Sequence, residues 1–257
     1  MLANLYGGEF QFFLLSARWC NGPASRTDMA MISRTEELSS NLVSVRERIV
    51  QSAKNAGRVA DEVTLIAVTK TYPASDVEIL RNLGVENFAE NRDREGRDKS
   101  ALVPATWHFQ GQIQSNKISS IASWADVVHS LDDARHLRLL DAAVPPAKII
   151  SVFIQVCLDP QPGRGGIVPQ EVSRLAELVL AQPSLRLVGL MAVAPLGEEP
   201  ESAFSRLARI HSDFRQQFPS AASLSAGMSG DFETAIKYGA THVRVGSSIL
   251  GSRSHLR

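Results

Sequence analysis

Cysteine is almost missing from this chain, and the gap excludes whole classes of protein. Cys20 and Cys157 are the only two. They are too few and too far apart in sequence for a disulfide framework or a zinc ligand set, so a reducing, cytoplasmic setting without a metal site is expected. An excess of one charge is missing too: Lys+Arg and Asp+Glu stand at 27 each. That removes the electrostatic footprint of a nucleic-acid or acidic-membrane partner and points to a small-molecule ligand. No apolar run reaches the roughly 18 residues a membrane span needs. The nearest approach to a targeting segment, MLANLYGGEFQFFLLSARWC, is broken by Glu9 and Gln11. It has neither a basic leader nor a small-x-small cleavage site, so no signal peptide is expected. Tyrosine is scarce, with only Tyr6, Tyr72 and Tyr238.

What is present is a core and an alternation. With 257 residues, of which 44% are apolar, the chain suffices for one large α/β domain. Residues 1–33 hold no sustained period and include the breaker cluster Asn21-Gly22-Pro23-Ala24-Ser25. They read as a disordered extension, with Met29 and Met31 as alternative starts. From Thr35, Leu38, Leu42, Val45 and Ile49 recur at helical spacing until Gly57, which marks a leading amphipathic helix. Strand candidates follow at Thr64–Val68, Asn87–Ala89, Trp107–Gln110, Val127–His129, Ile149–Val156, Leu185–Met191, Ser223–Ser225 and His242–Val245. Seven helical patterns separate them, from ASDVEILRNLG to GDFETAIKYGA. Eight strands with intervening helices predict a closed (β/α)8 barrel of the TIM type over residues 34–257. An open doubly wound sheet ranks behind it, because no G-x-G-x-x-G follows the first strand. A closed barrel completes its own core, so a monomer is expected.

In such a barrel the ligand site lies at the carboxyl ends of the strands. There LIAVTKTYP places Lys70 directly after the first strand; the ammonium either snorkels to solvent or points into the mouth. LSAGMSGDFETAI offers small residues and a helix start after strand seven, and VRVGSSILG puts Gly246-Ser247-Ser248 after strand eight. The loops after strands seven and eight are the recurrent phosphate site of these barrels. Closure sets strand eight roughly 4.8 Å from strand one. One small ligand would then span an amine and an anion cradle. An amine near a phosphorylated aldehyde suggests a Schiff base, and pyridoxal 5′-phosphate has both ends. Arg244, near the end of strand eight, either faces the pyridine nitrogen as a proton-retaining donor or forms a salt bridge to Glu90 or Asp231.

Seven motifs in order carry a resemblance: Ala67-Val68-Thr69-Lys70, Phe88-Ala89-Glu90-Asn91, Trp107-His108-Phe109-Gln110-Gly111, Gln114-Ser115-Asn116-Lys117, Gly189-Leu190-Met191, Ser225-x-Gly227-Met228-Ser229-x-Asp231 and Val243-Arg244-Val245-Gly246. From Thr35 to Arg253 the chain resembles the pyridoxal phosphate homeostasis proteins, which look like the isolated barrel domain of bacterial alanine racemases. The resemblance implies that Lys70 forms the Schiff base and that Arg244 faces the pyridine nitrogen. It further implies that Ser229, Gly246, Ser247 and Ser248 hold the phosphate, and that Asn91, His108 and Met228 line the cofactor. It implies a carrier that keeps free pyridoxal phosphate low without established turnover, with pyridoxal-phosphate-dependent apoenzymes as candidate recipients. Two positions depart from the family pattern: Ala89 stands for its usual glycine, and Cys157 for an asparagine often found after strand five.

Other residues carry competing readings. Trp107 and Phe109 read as packing aromatics, and Gln114–Lys117 as a helix start. His108 is either a proton carrier or a satisfied strand-end histidine. PGRGGI, Pro162 to Ile167, reads as a loop over the mouth whose Arg164 meets an incoming anion or solvent. The alternative function is a pyridoxal-phosphate-dependent amino-acid racemase of low activity. It is disfavoured because the tyrosine that alanine racemases draw from a second domain has no counterpart here.

Overall fold

The computed structural model describes residues 26–159 and 165–251, with side chains from Ser33 onward. Eight parallel strands close into a barrel in the order β1 to β8. They are β1 (Thr64–Val68), β2 (Asn87–Glu90), β3 (Thr106–Phe109), β4 (Val127–Leu131), β5 (Ile150–Gln155), β6 (Leu185–Met191), β7 (Ser223–Ser225) and β8 (His242–Val245). The helices are α1 (Arg26–Asn55), α2 (Ala74–Asn82), α3 (Asp93–Ser100), α4 (Ile118–Trp124), α5 (Ala134–Ala143), α6 (Val172–Leu180), α7 (Pro200–Gln217), α8 (Phe232–Lys237) and α9 (Ser247–Leu250). Ring closure is made by β1 on β8, with Thr64 opposite His242 and Ala67 opposite Val245. The predicted (β/α)8 barrel is therefore the observed one.

Strand alternation divides the apolar residues unequally. Ala67, Phe88, Trp107, Val128 and Val243 face outward and join the main core between sheet and helices. Inward, Ile66, Val68 and Ala89 make a separate small apolar cluster, and buried His108, His129, Ser225 and Arg244 share the interior with Phe153. The leading helix follows its sequence pattern, burying Leu38, Leu42, Val45 and Ile49 to 5% exposure or less. Each such side chain contributes about 1.5–3 kcal/mol. Helix α1 packs on α8, α9 and α2 and starts at Arg26 rather than Thr35. Residues 1–25, most of the expected disordered extension, lie outside the described residues, as do Tyr6 and Cys20. The Gly246-Ser247-Ser248 stretch, read from sequence as a loop after strand eight, opens the one-turn helix α9. Among the described residues, no helix is long and apolar enough to cross a membrane.

Candidate functional site

A cavity of about 610 Å3 opens at the carboxyl ends of the strands, within the range of small-molecule sites, roughly 300–1,000 Å3. Register explains three of its walls. Val68 pairs with Ala89, and Ala89 with His108. Two residues beyond each, with the same inward parity, stand Lys70, Asn91 and Gln110, and all three line the cavity. Gln110 Nε2 donates to Asn91 Oδ1 at 3.0 Å. The Lys70 ammonium makes no hydrogen bond or ion pair with any described residue.

The backbone around that free amine is tightly held. Thr69 Oγ1 donates to Glu90 Oε1 at 2.6 Å, and Lys99 Nζ from α3 donates both to Glu90 Oε1 at 2.5 Å and to the Thr69 carbonyl at 2.8 Å. On the other side, the Thr71 N–H donates to Glu95 Oε2 at 2.7 Å. That bond holds Thr71 at φ 71°, a left-handed conformation a β-branched residue rarely adopts. Glu90 and Lys99 are buried. Burial pushes the Glu90 carboxyl up, and the adjacent Lys99 opposes it. A buried pair of this kind is held by mutual compensation: removing either partner strands a charge.

Arg244 forms the floor. It is 4% exposed, with Nη1 donating to Ser225 Oγ at 2.6 Å and Nη2 to the Ala192 carbonyl at 3.0 Å. Nε–H has no partner among the described residues. The salt bridges considered from sequence do not form: Glu90 pairs with Lys99, and Asp231 accepts from the Met228 N–H at 2.6 Å. Burial pulls the guanidinium down to about 10, with distant Asp231 opposing. It stays cationic at neutral pH.

The remaining wall is a cradle of backbone amides. The N–H groups of Gly246 and Ser248 converge on Ser229 Oγ at 3.2 and 3.4 Å, and Ser248 Oγ donates to the Ser229 carbonyl at 3.4 Å. Two glycines permit this. Gly227 has φ 90°, and a Cβ there would come within 2.7 Å of Phe232 Cα; a Cβ on Gly246 would lie 3.1 Å from the Val68 carbonyl. Met228, Ser229, Gly246 and Ser247 line the cavity, while Ser248 stands behind them.

Of the nine residues singled out from sequence, seven line the cavity: Lys70, Asn91, Met228, Ser229, Arg244, Gly246 and Ser247. His108 does not. Its place is corrected to the barrel interior, 3% exposed, because it lies within β3, two residues before the wall residue Gln110, and its ring bonds His129 and Asn87. Cys157 lies outside this cavity, beside a smaller one of about 190 Å3 after β5. Arg164, with Pro162 and Gly163 of PGRGGI, falls outside the described residues. Sequence reasoning did not single out Tyr72, Gln110, Met191 and Val193 as wall residues. Strand-end parity finds Gln110; Tyr72 is placed by its hydroxyl, which donates to the Gly251 carbonyl at 2.7 Å.

Comparison with known proteins agrees with this architecture. The family model described as alanine racemase, N-terminal domain, matches residues 42–254. The pyridoxal phosphate homeostasis protein of Mycobacterium tuberculosis is 40% identical over 243 residues, covering 86% of this chain and 94% of that protein. Its counterpart in Escherichia coli K12 is 36% identical over 236 residues, covering 85% and 98%. The structure of PipY from Synechococcus elongatus with PLP bound superposes with a TM-score of 0.72 at 30% identity, covering 83% of this chain and all of that one.

Proposed function

From the premise that this chain belongs to the pyridoxal phosphate homeostasis protein family, we propose that its barrel mouth binds pyridoxal 5′-phosphate and serves intracellular homeostasis of that cofactor. One observation carries the reading. A free ammonium on Lys70 and a buried guanidinium on Arg244, each with an unengaged N–H, share a cavity with the Gly246–Ser248 amide cradle. A buried cation without a counter-ion is costly. A ligand with an acceptor nitrogen and a phosphate relieves that cost.

The residues present fit the cofactor. Lys70 would hold the aldehyde carbon as a Schiff base. Arg244 would face the pyridine nitrogen through Nε–H and leave it unprotonated. Ser229, Gly246, Ser247 and Ser248 would take the phosphate at the start of α9, and Asn91 and Met228 would flank the ring. His108, held inside the barrel, acts on the ligand only through other residues. When bound, pyridoxal phosphate supplies an electrophilic carbon and an electron-withdrawing ring. An arginine, which retains its own proton, keeps that ring a weaker electron sink than a protonating carboxylic acid would.

This chemistry supports holding over turnover. Tyr72 reaches the cavity, yet its hydroxyl donates to Gly251, and Tyr238 bonds Glu201 on the outer surface. We read the protein as a cytoplasmic monomer that passes the cofactor to pyridoxal-phosphate-dependent apoenzymes. Titration with pyridoxal phosphate should raise a visible imine absorption, and borohydride followed by peptide mapping should place the pyridoxyl group on Lys70; a label on another lysine refutes the assignment. L-alanine in deuterated buffer should exchange its α-proton slowly, and rapid exchange would establish the racemase alternative. Sedimentation of the loaded protein with and without an apoenzyme distinguishes a monomeric donor from an obligate complex.

A further inference from the structure

Below the cavity floor, five polar side chains form an unbroken line through the barrel. Arg244 Nη1 donates to Ser225 Oγ at 2.6 Å, and Ser225 Oγ lies 2.9 Å from His129 Nδ1. His129 Nε2 lies 2.8 Å from His108 Nδ1, and His108 Nε2 lies 3.0 Å from Asn87 Oδ1. Ser225 and His129 are fully buried. Phe153 stacks on His129 with ring centres 4.4 Å apart and sets its edge against His242 at 5.2 Å.

Proton counting gives the line a direction. A neutral imidazole has one N–H and one bare nitrogen, so only two polarities are available. In the first, Ser225 donates to His129 Nδ1, His129 Nε2–H to His108 Nδ1, and His108 Nε2–H to the Asn87 carbonyl; every member is satisfied. In the second, Asn87 turns its NH2 toward His108 and both rings reverse. Ser225 Oγ then accepts from Arg244 and His129 together, and its own wholly buried proton finds no acceptor. Leaving such a donor unsatisfied is penalised, which favours the first polarity, with the Asn87 amide oxygen toward His108 Nε2. A cationic ring is opposed on every side. Burial holds His108 down to about 3, with His242 adding repulsion. It also holds His129 well below the free value, with His108, Arg244 and His242 all adding repulsion.

We propose that His129 and His108 are positioning residues in a one-way hydrogen-bond relay anchored on Asn87. The relay directs the Ser225 proton to His129 and away from Arg244, leaving Ser225 Oγ as an acceptor toward the guanidinium, which it pins at the cavity floor. Asn87, His129 and Ser225, none of them on the cavity wall, thereby help set the angle of the Arg244 Nε–H. The consequence for ligand binding rests on the reading of Arg244 as the ring-facing residue; the relay itself belongs to the unloaded protein.

Nitrogen NMR of ring-labelled histidines in the unloaded protein tests it. Both rings should appear as neutral Nε2–H tautomers, unchanged between about pH 5 and 8, where a free histidine titrates. Ser225→Ala should let His129 exchange between tautomers, and Asn87→Ala should do the same for His108, giving a second route should the first variant fail to fold. Pyridoxine 5′-phosphate, which lacks the aldehyde and so bypasses Lys70, should bind Ser225→Ala about three- to tenfold more weakly, as expected for one lost hydrogen bond. An Nδ1–H tautomer at either wild-type ring, titration near the free value, or spectra unmoved by both substitutions would overturn the relay. If wild-type protein fails to bind pyridoxine 5′-phosphate, the functional reading falls, while the tautomer spectra still decide the relay.

Discussion

Lys70 and Lys99 approach the same strand end from opposite sides, and they are treated in opposite ways. On the inner side of β1, Lys70 is left without a polar partner on the cavity wall. On the outer seam between β1 and β2, Lys99 is 6% exposed, paired with Glu90 and bonded to the carbonyl of the residue preceding Lys70. One amine is kept available by having nothing to hold; the other is spent holding the backbone that aims the first. Preorganisation of this kind separates the group that meets the ligand from the groups that bear the structural load.

The sharpest way to break that contrast is to exchange the losses. Lys70→Ala should abolish pyridoxyl labelling after borohydride entirely, while moving the unfolding free energy by less than about 0.5 kcal/mol, as for a side chain without partners. Labelling that persists on Lys99 would erase the distinction. Lys99→Met should do the reverse. By stranding Glu90 it should remove about 3–5 kcal/mol in denaturant titrations, with the remaining folded protein still labelled on Lys70. A variant as stable as wild type would mean that the outer seam carries no load.

Acid probes the interior against both lysine environments. Burial, with Arg244 adding repulsion, holds His242 down to about 4; His108 lies at about 3, and His211, buried beside Arg215, at about 4. The unfolded chain takes up protons below its ordinary histidine value while the folded chain does not. Stability is therefore fully present above about pH 6.5 and is lost as pH falls toward the folded values, by about 2 kcal/mol per histidine at pH 5. Chemical denaturation at several pH values measures the slope, and a flat profile over this window would show the rings to be hydrated. The smallest effect belongs to the cradle. Gly246→Ala, whose Cβ would lie 3.1 Å from the Val68 carbonyl, should weaken pyridoxine 5′-phosphate binding about tenfold by calorimetry, equivalent to roughly 1.4 kcal/mol, with little change in melting.

Much of the frame was legible in the sequence because strand ends announce themselves. The limits read for β1, β6, β7 and β8 are those observed, and a lysine two residues beyond the apolar run Leu65–Val68 had few places to go. His108 shows what period alone misses: it was read as lining the cofactor, but its depth depends on where β3 stops relative to β1 and β2, a matter of inter-strand register. Lys99 shows a second limit. In NRDREGRDKS it reads as one more charge on a solvated helix, and only the packing of α3 against Glu90 turns it inward. The interior line of Asn87, His108 and His129 runs along three neighbouring strands, and only barrel closure brings Ser225 of β7 across the interior to meet it.

Helix α1 precedes the barrel in sequence, yet it stands directly behind the amide cradle. Arg34 Nη2 bonds both Asp76 and the Leu250 carbonyl, and Asn41 Nδ2 bonds the Ile249 carbonyl. The beginning of the described chain is thus a splint on the last helical turn. Any anion that tightens α9 should be felt as slowed amide hydrogen exchange along α1, by way of the splint rather than through the barrel wall.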